Sequence, residues 1–281
     1  MEAHALVARL NADTRIRFPF LCLLASGGHL LLLIVHGIGR YTQLGTTLDD
    51  SLGEAYDKVA RLLGLDLRPS GGAVLEAFAN EGDPYKYKFK VPMLKYKNCD
   101  FSYSGLKTAV RLAVEKLVMD PNDASKRQVR ADIAASFQHV AIQHLEERCS
   151  RACEWALSRS PDITTFVVSG GVASNMAVRD RLQAVANSSG LELVTPPPRL
   201  CTDNGVMVAW AGLERYQLGL HEPPPAVAPT EDDWVEIRAR WPLTEDKVSS
   251  GDEYVRIVRK KRLVTSLTTM DSMRDSQMAT E

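Results

Sequence analysis

The sequence contains no Cys-x-x-Cys pair. Its five cysteines, Cys22, Cys99, Cys149, Cys153 and Cys201, are scattered over 281 residues, a usage that fits a reduced intracellular protein better than a disulfide framework. It also lacks an excess of either charge. The 34 Lys and Arg against 35 Asp and Glu leave a formal net charge of −1, so composition alone does not advertise nucleic acid. No apolar run is long enough to span a bilayer. The start carries neither a cationic signal nor an Arg-rich amphipathic targeting segment, so neither secretion nor a membrane role is expected. What remains is ordinary for a globular chain, 45% hydrophobic and able to bury one or two cores.

The apolar content is concentrated early. Phe20 to Ala25 and Leu30 to Val35 are nearly unbroken apolar runs on either side of Ser26-Gly27-Gly28-His29, the pattern of two strands covered on both faces and joined as a hairpin. A tight turn there is expected to put the glycines at positive φ and to leave amides near a ligand. A plain hairpin turn is the simpler alternative. Tyr41 to Thr46 follows as a third strand. Ser51 and Glu54 then form a capping box for a helix whose Leu52, Ala55 or Tyr56, Val59, Leu62 and Leu63 recur at helical spacing. On its other face Glu54, Asp57, Lys58 and Arg61 lie three and four apart, the spacing of solvated ion pairs.

A second glycine turn lies far downstream. Thr164 to Ser169 reads as a strand, Gly170-Gly171 as a turn, and Asn175 as the N-cap of a helix with Val178, Leu182 and Val185 on one stripe. Such a helix start, with its free N–H groups and dipole, is expected to bind an anion. The turn is neither a Walker loop, since no Gly-Lys-Ser/Thr follows, nor a G-x-G-x-x-G fingerprint. Leu193 to Thr195 is a short strand, stopped by Pro196 to Pro198. Cys201-Thr202-Asp203-Asn204-Gly205 opens a last helix that ends near Gly219.

Three strands, then helix, strand, helix, strand and helix, is the order of the ribonuclease-H-like unit of the actin-like ATPase (ASKHA) superfamily. The motifs are closer still. FPFLCLLASGGH, GTTLDDSLGEAYDKVARLLGL, CDFSYSGLKTAV, VVSGGVASNMAVRDRL, PPPRLCTDNGVMVAWAGLERY and IRARWPL closely resemble the bacterial and mitochondrial tRNA N6-adenosine threonylcarbamoyltransferases. The resemblance runs from Met1 to about Leu243. It implies an α/β, actin-like lobe in two parts, residues 1–72 and 161–243, with a mostly helical insertion at 73–160; beyond it, 244–281 is polar without long periodicity and reads as a mostly disordered tail. It implies transfer of a threonylcarbamoyl group from threonylcarbamoyl-AMP, made by a separate enzyme, to N6 of the adenosine beside the anticodon of tRNA. By matching motif positions, Leu24, Ala25, Ser26, Gly27 and Gly28 would cradle the acyl phosphate, while Asp57, Gly72 and Asn175 would line the nucleoside. One divalent metal ion, iron or zinc, would be held by His4 and Asp203; the alternative role for Asp203 is a helix N-cap. A homodimer and a mitochondrial location are likewise implied.

Members of that family begin with a further N-terminal lobe that supplies another metal histidine. Here Met1-Glu2-Ala3-His4 matches only the end of the H-x-x-x-H motif, so a missing lobe and a poorly oriented His4 are expected. Two alternatives to the enzyme follow: a catalytically defective isoform that serves as a binding or dimerising module, or another nucleotide-binding member of the superfamily.

Between Tyr85 and Lys107, Lys86, Lys88, Lys90, Lys95, Lys97 and Lys107 interleave with Tyr85, Tyr87, Phe89, Tyr96, Phe101 and Tyr103. Period-two alternation suggests exposed strands. Lysines that neutralise phosphates beside aromatics that stack on bases would suit single-stranded RNA, with Lys86, Lys88, Lys95 and Lys97 as tRNA contacts. Solvated lysines over buried aromatics are the alternative. Ala131 to Ser158 reads as a long helix. Its His139, His144, Cys149 and Cys153 do not converge as ligands, so packing accounts for them.

Overall fold

In the computed structural model, which describes residues 1–10, 16–117, 123–221 and 242–248, the early apolar runs pair as an antiparallel hairpin. Strands β1 (Phe20–Ala25) and β2 (Leu30–Gly37) run in register from Phe20 opposite Val35 to Ala25 opposite Leu30. Strand β3 (Arg40–Thr46) adds antiparallel to β2, while β4 (Thr165–Ser169) and β5 (Glu192–Val194) extend the sheet in parallel from β1. The order is β3-β2-β1-β4-β5. Every residue of β1 is buried, as its unbroken apolar run requires.

Two layers cover the sheet. Phe20, Cys22, Leu24, Leu31, Leu33 and Val35 form one cluster with Ala5 and Ala8 near the N-terminus, where a short helix α1 (Glu2–Leu6) lies. Helix α5 (Arg127–Arg159), 33 residues long, packs against β1, β2 and β3. It is buried nearly all round from Arg130 to Ile142, which is why it carries no single apolar stripe. Helices α2 (Leu52–Leu62), α3 (Gly71–Ala79) and α4 (Ser104–Leu117) lie between β3 and α5 in the chain, and α6 (Met176–Ser188) and α7 (Gly205–Gln217) follow β4 and β5.

Three expectations need correction. The hairpin turn closes without a positive-φ glycine at Gly27 or Gly28. Instead the Ser26 amide donates to the His29 carbonyl (3.0 Å) and the His29 amide to the Ser26 Oγ (3.1 Å), so a side chain supplies what backbone freedom was expected to. The Lys and aromatic segment forms no strand between Tyr85 and Cys99: Phe101 and Tyr103 are core residues, and Lys107 pairs with Asp50 at 2.6 Å. Alternation had no neighbouring strand to pair with. Lastly, the segment after Leu243 does not leave the fold at once. Gln43 donates to the Asp246 carbonyl (2.8 Å) and Thr244 Oγ to the Tyr41 carbonyl (2.7 Å), covering the outer edge of β3. Residues 249–281 of the expected tail, and most of the IRARWPL motif, lie outside the described residues.

His144 of α5 is a packing residue, as expected. It is fully buried, edge-on to the Tyr103 ring at 5.2 Å, and its Nε2 accepts from the Ser102 amide at 3.4 Å. Burial, aided by the Arg148 charge, pushes its pKa from 6.5 down to about 3. The unfolded chain therefore takes up a proton below pH 6.5 that the folded chain refuses, so stability is lost as pH falls from about 6.5 toward 3. Urea titrations across that window should show a shallower pH slope for His144→Gln than for wild type, by up to about 1.4 kcal/mol per pH unit. Identical slopes would remove His144 from the acid response.

Candidate functional site

Four of the residues singled out in the sequence meet in one cleft. Gly27 from the hairpin turn, Asp57 from α2, Gly72 from α3 and Asn175 at the start of α6 line a cavity of about 390 Å³, together with Gly53, Tyr56, Ser70, Glu76, Gly171, Ser174 and Thr202. That is within the usual range for small-molecule sites.

The cleft is assembled by caps and close approaches. Ser51 is fully buried and caps α2 by accepting from the Glu54 amide at 3.2 Å. The expected return bond from Glu54 gives way to an ion pair with Lys58 at 2.6 Å. The Ser51 hydroxyl instead donates to the Gly27 carbonyl at 2.6 Å, so one side chain ties the hairpin turn to the helix that carries Asp57. Gly53 completes the seam, because a Cβ there would lie 2.7 Å from the Gly27 Cα. Ser51→Ala removes both bonds and should lower stability by about 1–2 kcal/mol, read as a shift of the urea midpoint; no shift would mean the turn holds itself.

On the opposite wall, β4 ends at Gly170, which takes φ 105° and ψ 168°, and a single 3₁₀ turn, Gly171–Ser174, leads into α6. Asn175 caps α6 as expected, its Oδ1 accepting from the Val178 amide at 2.9 Å. That leaves the Asn175 Nδ2 buried without a hydrogen-bond partner among the described residues, a donor at the cleft wall. The α6 N-terminus itself is not open to an external anion. Glu76 Oε1 accepts from the Met176 amide (2.7 Å) and the Ala177 amide (3.4 Å), so the chain's own carboxylate takes the place that the dipole favours. Glu76 escaped sequence reasoning because its partners lie a hundred residues away and it reads only as a polar position of α3.

Of the remaining expected residues, Leu24 and Ala25 are buried at the end of β1, and Ser26 is spent closing its own turn. Gly28 is exposed, with no atom within 4 Å of where a Cβ would stand. None of these four lines the cavity. The Ala25 backbone presses so close to Gly170 that no side chain fits there.

His4 and Asp203 are brought together beside this cleft, since Thr202, which lines it, precedes Asp203. His4 Nε2 and Asp203 Oδ1 are 2.7 Å apart. The expectation of a loosely held His4 is overturned: its side chain is 11% exposed, against 99% for Asp203. The cause is burial of Ala5 and Leu6 beside it and the fastening of the segment on both sides, Glu2 at the helix start to Arg215 at 2.9 Å and Arg9 in the turn that follows to Glu214 at 3.0 Å. The helix cap is Asn204, whose Oδ1 accepts from the Met207 amide at 2.9 Å, so the Asp203 carboxylate is not used as a cap. His4 Nδ1 is buried with no hydrogen-bond partner. Among the described residues no group of three His, Cys, Asp or Glu gathers to hold a metal. An imidazole and a carboxylate oxygen meeting beside the cleft suit a divalent ion that keeps its other positions for water or substrate oxygens.

Arg179 of α6 ties the two halves of the site. Its Nε donates to the Ala173 carbonyl, and its Nη2 reaches the Pro196 carbonyl at 3.5 Å and the Cys201 Sγ at 4.0 Å. One guanidinium thus spans the glycine turn and the segment leading to Asp203.

Lys86, Lys88, Lys95 and Lys97 are all exposed, but they lie on a bend, a turn and irregular chain rather than on a strand, and Lys97 has Glu147 at 4.0 Å. Of the aromatics beside them, Tyr85 and Tyr96 are 70% and 62% exposed.

Residues 1–210 match the family described as tRNA N6-adenosine threonylcarbamoyltransferase. The chain is 52% identical over 276 residues to a protein of Arabidopsis thaliana named probable mitochondrial tRNA N6-adenosine threonylcarbamoyltransferase, covering 96% of this chain and 57% of that one. It is 46% identical over 243 residues to the tRNA N6-adenosine threonylcarbamoyltransferase of Paramagnetospirillum magneticum, covering 86% and 65%. Its identity to the Rhodospirillum rubrum protein of the same name is 46% over 246 residues, covering 88% and 64%. The chain therefore spans about three-fifths of the length of these relatives.

Proposed function

The chain belongs to the tRNA N6-adenosine threonylcarbamoyltransferase family, and from that premise we propose that its cleft holds threonylcarbamoyl-AMP and that the threonylcarbamoyl group passes to N6 of the adenosine beside the anticodon of tRNA. The observation that carries this reading is the convergence of Gly27, Asp57, Gly72 and Asn175, from four separate stretches, on one cavity. Asp57, on the wall opposite Asn175, accepts from ribose hydroxyls. The unspent Asn175 Nδ2 donates to the nucleoside, and the bare backbone at Gly27 and Gly171 lets the phosphate approach. The strand order supports reading the sheet as a ribonuclease-H-like lobe of the actin-like superfamily, with 73–160 as its insertion.

His4 and Asp203 would hold a divalent metal, iron or zinc. When bound, it supplies a Lewis acid that polarises the acyl phosphate. The chain's own work is placement: the attacking amine must be held over the face of the carbonyl carbon with the AMP leaving group fixed, because positioning supplies much of the rate of such a transfer. The C–N bond to the adenine forms as N6 gives up one proton to solvent, and the C–O bond to the phosphate breaks with its electron pair leaving on AMP. Lys86, Lys88, Lys95 and Lys97 contact tRNA phosphates. The adenylate comes from a separate enzyme, the mitochondrion is the proposed location, and a homodimer the proposed assembly. Among the described residues no helix is long and apolar enough to cross a membrane.

The test is nucleoside mass spectrometry of tRNA incubated with the full chain and threonylcarbamoyl-AMP. Modified adenosine that disappears with Asp57→Ala and with Asn175→Ala is the expected result. Product formation unaffected by either change would move the reaction out of this cleft, and no adenylate binding at all would overturn the reading.

A further inference from the structure

The loop from Met93 to Asn98 is shaped by a guanidinium buried beneath it. Arg148 of α5 is fully buried. One of its terminal nitrogens donates to the carbonyls of Tyr96 (2.6 Å) and Asn98 (2.8 Å), and the other to the carbonyl of Met93 (2.6 Å). Arg151, one turn on, adds a second donor to Asn98 at 2.8 Å and is itself held by Glu147 at 3.0 Å. A buried charge that donates to three loop carbonyls is an expensive way to hold a surface loop. Met93 adds to that cost: among the described residues it alone, apart from glycines, has positive φ, at 51°, a conformation unfavourable for a side chain with a Cβ. Strain of this kind persists where the surroundings over-determine the backbone and clusters where a surface is used.

The outer side of the loop is what this arrangement presents. Leu94 is 53% exposed and Tyr96 62%, with the exposed Lys95 and Lys97 alternating between and beside them. A rigid phenol face between two ammonium groups fits a nucleic-acid strand with an unstacked base. The base lies on the ring, and the lysines meet the phosphates on either side. We propose that Met93–Asn98 is a preformed platform on which Tyr96 stacks one unpaired base of an RNA loop, with Arg148 as its positioning residue. The proposal deepens the reading of this chain as acting on tRNA, and rests on it. It differs from a general basic strip because it assigns the stacking to one residue and its geometry to another that never touches RNA.

The experiment is fluorescence anisotropy of the full chain with a stem-loop RNA and with the same stem closed as a duplex, over a salt series. Tyr96→Ala, an exposed change that should leave the melting temperature alone, is expected to weaken stem-loop binding about 5- to 150-fold while leaving duplex binding and the salt slope unchanged. Lys95→Gln and Lys97→Gln should instead lower the slope, by about one each. Arg148→Lys keeps the charge but not the fork. It should weaken stem-loop binding, and in that background Tyr96→Ala should cost little more. A wild-type chain that binds the stem-loop with affinity untouched by Tyr96→Ala, or reduced equally for stem-loop and duplex, overturns the platform alone. A wild-type chain that binds neither RNA overturns the tRNA reading and the platform with it. If the loop serves a protein partner instead, none of these variants will change RNA affinity.

Discussion

Gly170→Ala is expected to lower the stability of the chain by roughly 3 kcal/mol or more and to abolish adenylate binding, from the addition of one methyl group. Two costs coincide. The backbone at φ 105° and ψ 168° lies in a region open essentially to glycine, worth about 1–3 kcal/mol for any other residue. The new Cβ would also be driven into the Ala25 backbone across the parallel β1/β4 seam, where neither partner is a side chain that can swing away. Overpacking of this kind costs about 1–3 kcal/mol more. The strain can be relieved only by moving the turn, and the turn carries Gly171, Ser174 and Asn175, which line the cleft. Urea denaturation reads the first effect and calorimetric titration with threonylcarbamoyl-AMP the second. The informative control is Gly28→Val. Gly28 has an ordinary φ and open space around it, so the valine variant should keep both stability and affinity. If Gly170→Ala were as stable as wild type, the close packing of Gly170 against Ala25 would be wrong.

That contrast shows where sequence was a sound guide and where it was not. Both glycine pairs follow a serine at the end of an apolar strand, Ser26-Gly27-Gly28 and Ser169-Gly170-Gly171, and nothing local separates them. Only the sheet does. Gly170 is confined because β4 runs parallel beside β1, while Gly28 sits at an outer turn with nothing above it. Features that depend on a few neighbouring residues were legible: the two early strands from unbroken apolar runs, the α2 start from Ser51, and the α6 start from Asn175. Asp57 and Gly72 line the cavity, a placement that family motifs suggested and local chemistry did not. What could not be read depends on partners distant in sequence. Ser51 donating to Gly27, Glu76 occupying the α6 N-terminus and Arg148 gripping three loop carbonyls each join stretches that no periodicity links. The Lys and aromatic alternation failed for a related reason. Period two is the mark of a strand only when another strand is there to pair with; Tyr85 and Tyr96 stay at the surface, while Phe101 and Tyr103 go to the core. The alternative role of Asp203 as a helix N-cap misses by one residue: Asp203 and Asn204 are both good caps by residue type, and Asn204 takes the cap while Asp203 meets His4.

Asp203→Ala and His4→Ala should separate metal binding from folding. The Asp203 side chain is 99% exposed and caps nothing, so its loss should change stability by no more than about 0.5 kcal/mol. The contact it makes with His4 has one partner wholly in solvent and contributes little on its own. His4 is different. It is buried on α1 against the packing that joins α1 to α7, and replacing its ring by a methyl group leaves a void expected to cost about 1–3 kcal/mol. Toward a divalent ion the two changes should be alike. Each removes one of the two protein donors proposed for it, and since losing even a group behind a ligand weakens metal binding about 10- to 100-fold, losing the ligand itself should cost at least about 100-fold. Threonylcarbamoyl transfer should fall with the metal in both variants. Urea midpoints, metal content after dialysis against iron or zinc, and nucleoside mass spectrometry of treated tRNA together read all three quantities. The decisive case is Asp203→Ala. A variant as stable as wild type that has lost its metal and its activity assigns this carboxylate to the ion, because no loss of structure is left to explain the result. Wild-type metal content in that variant would show that the 2.7 Å contact between His4 and Asp203 is only a hydrogen bond pinning the start of α7 to α1.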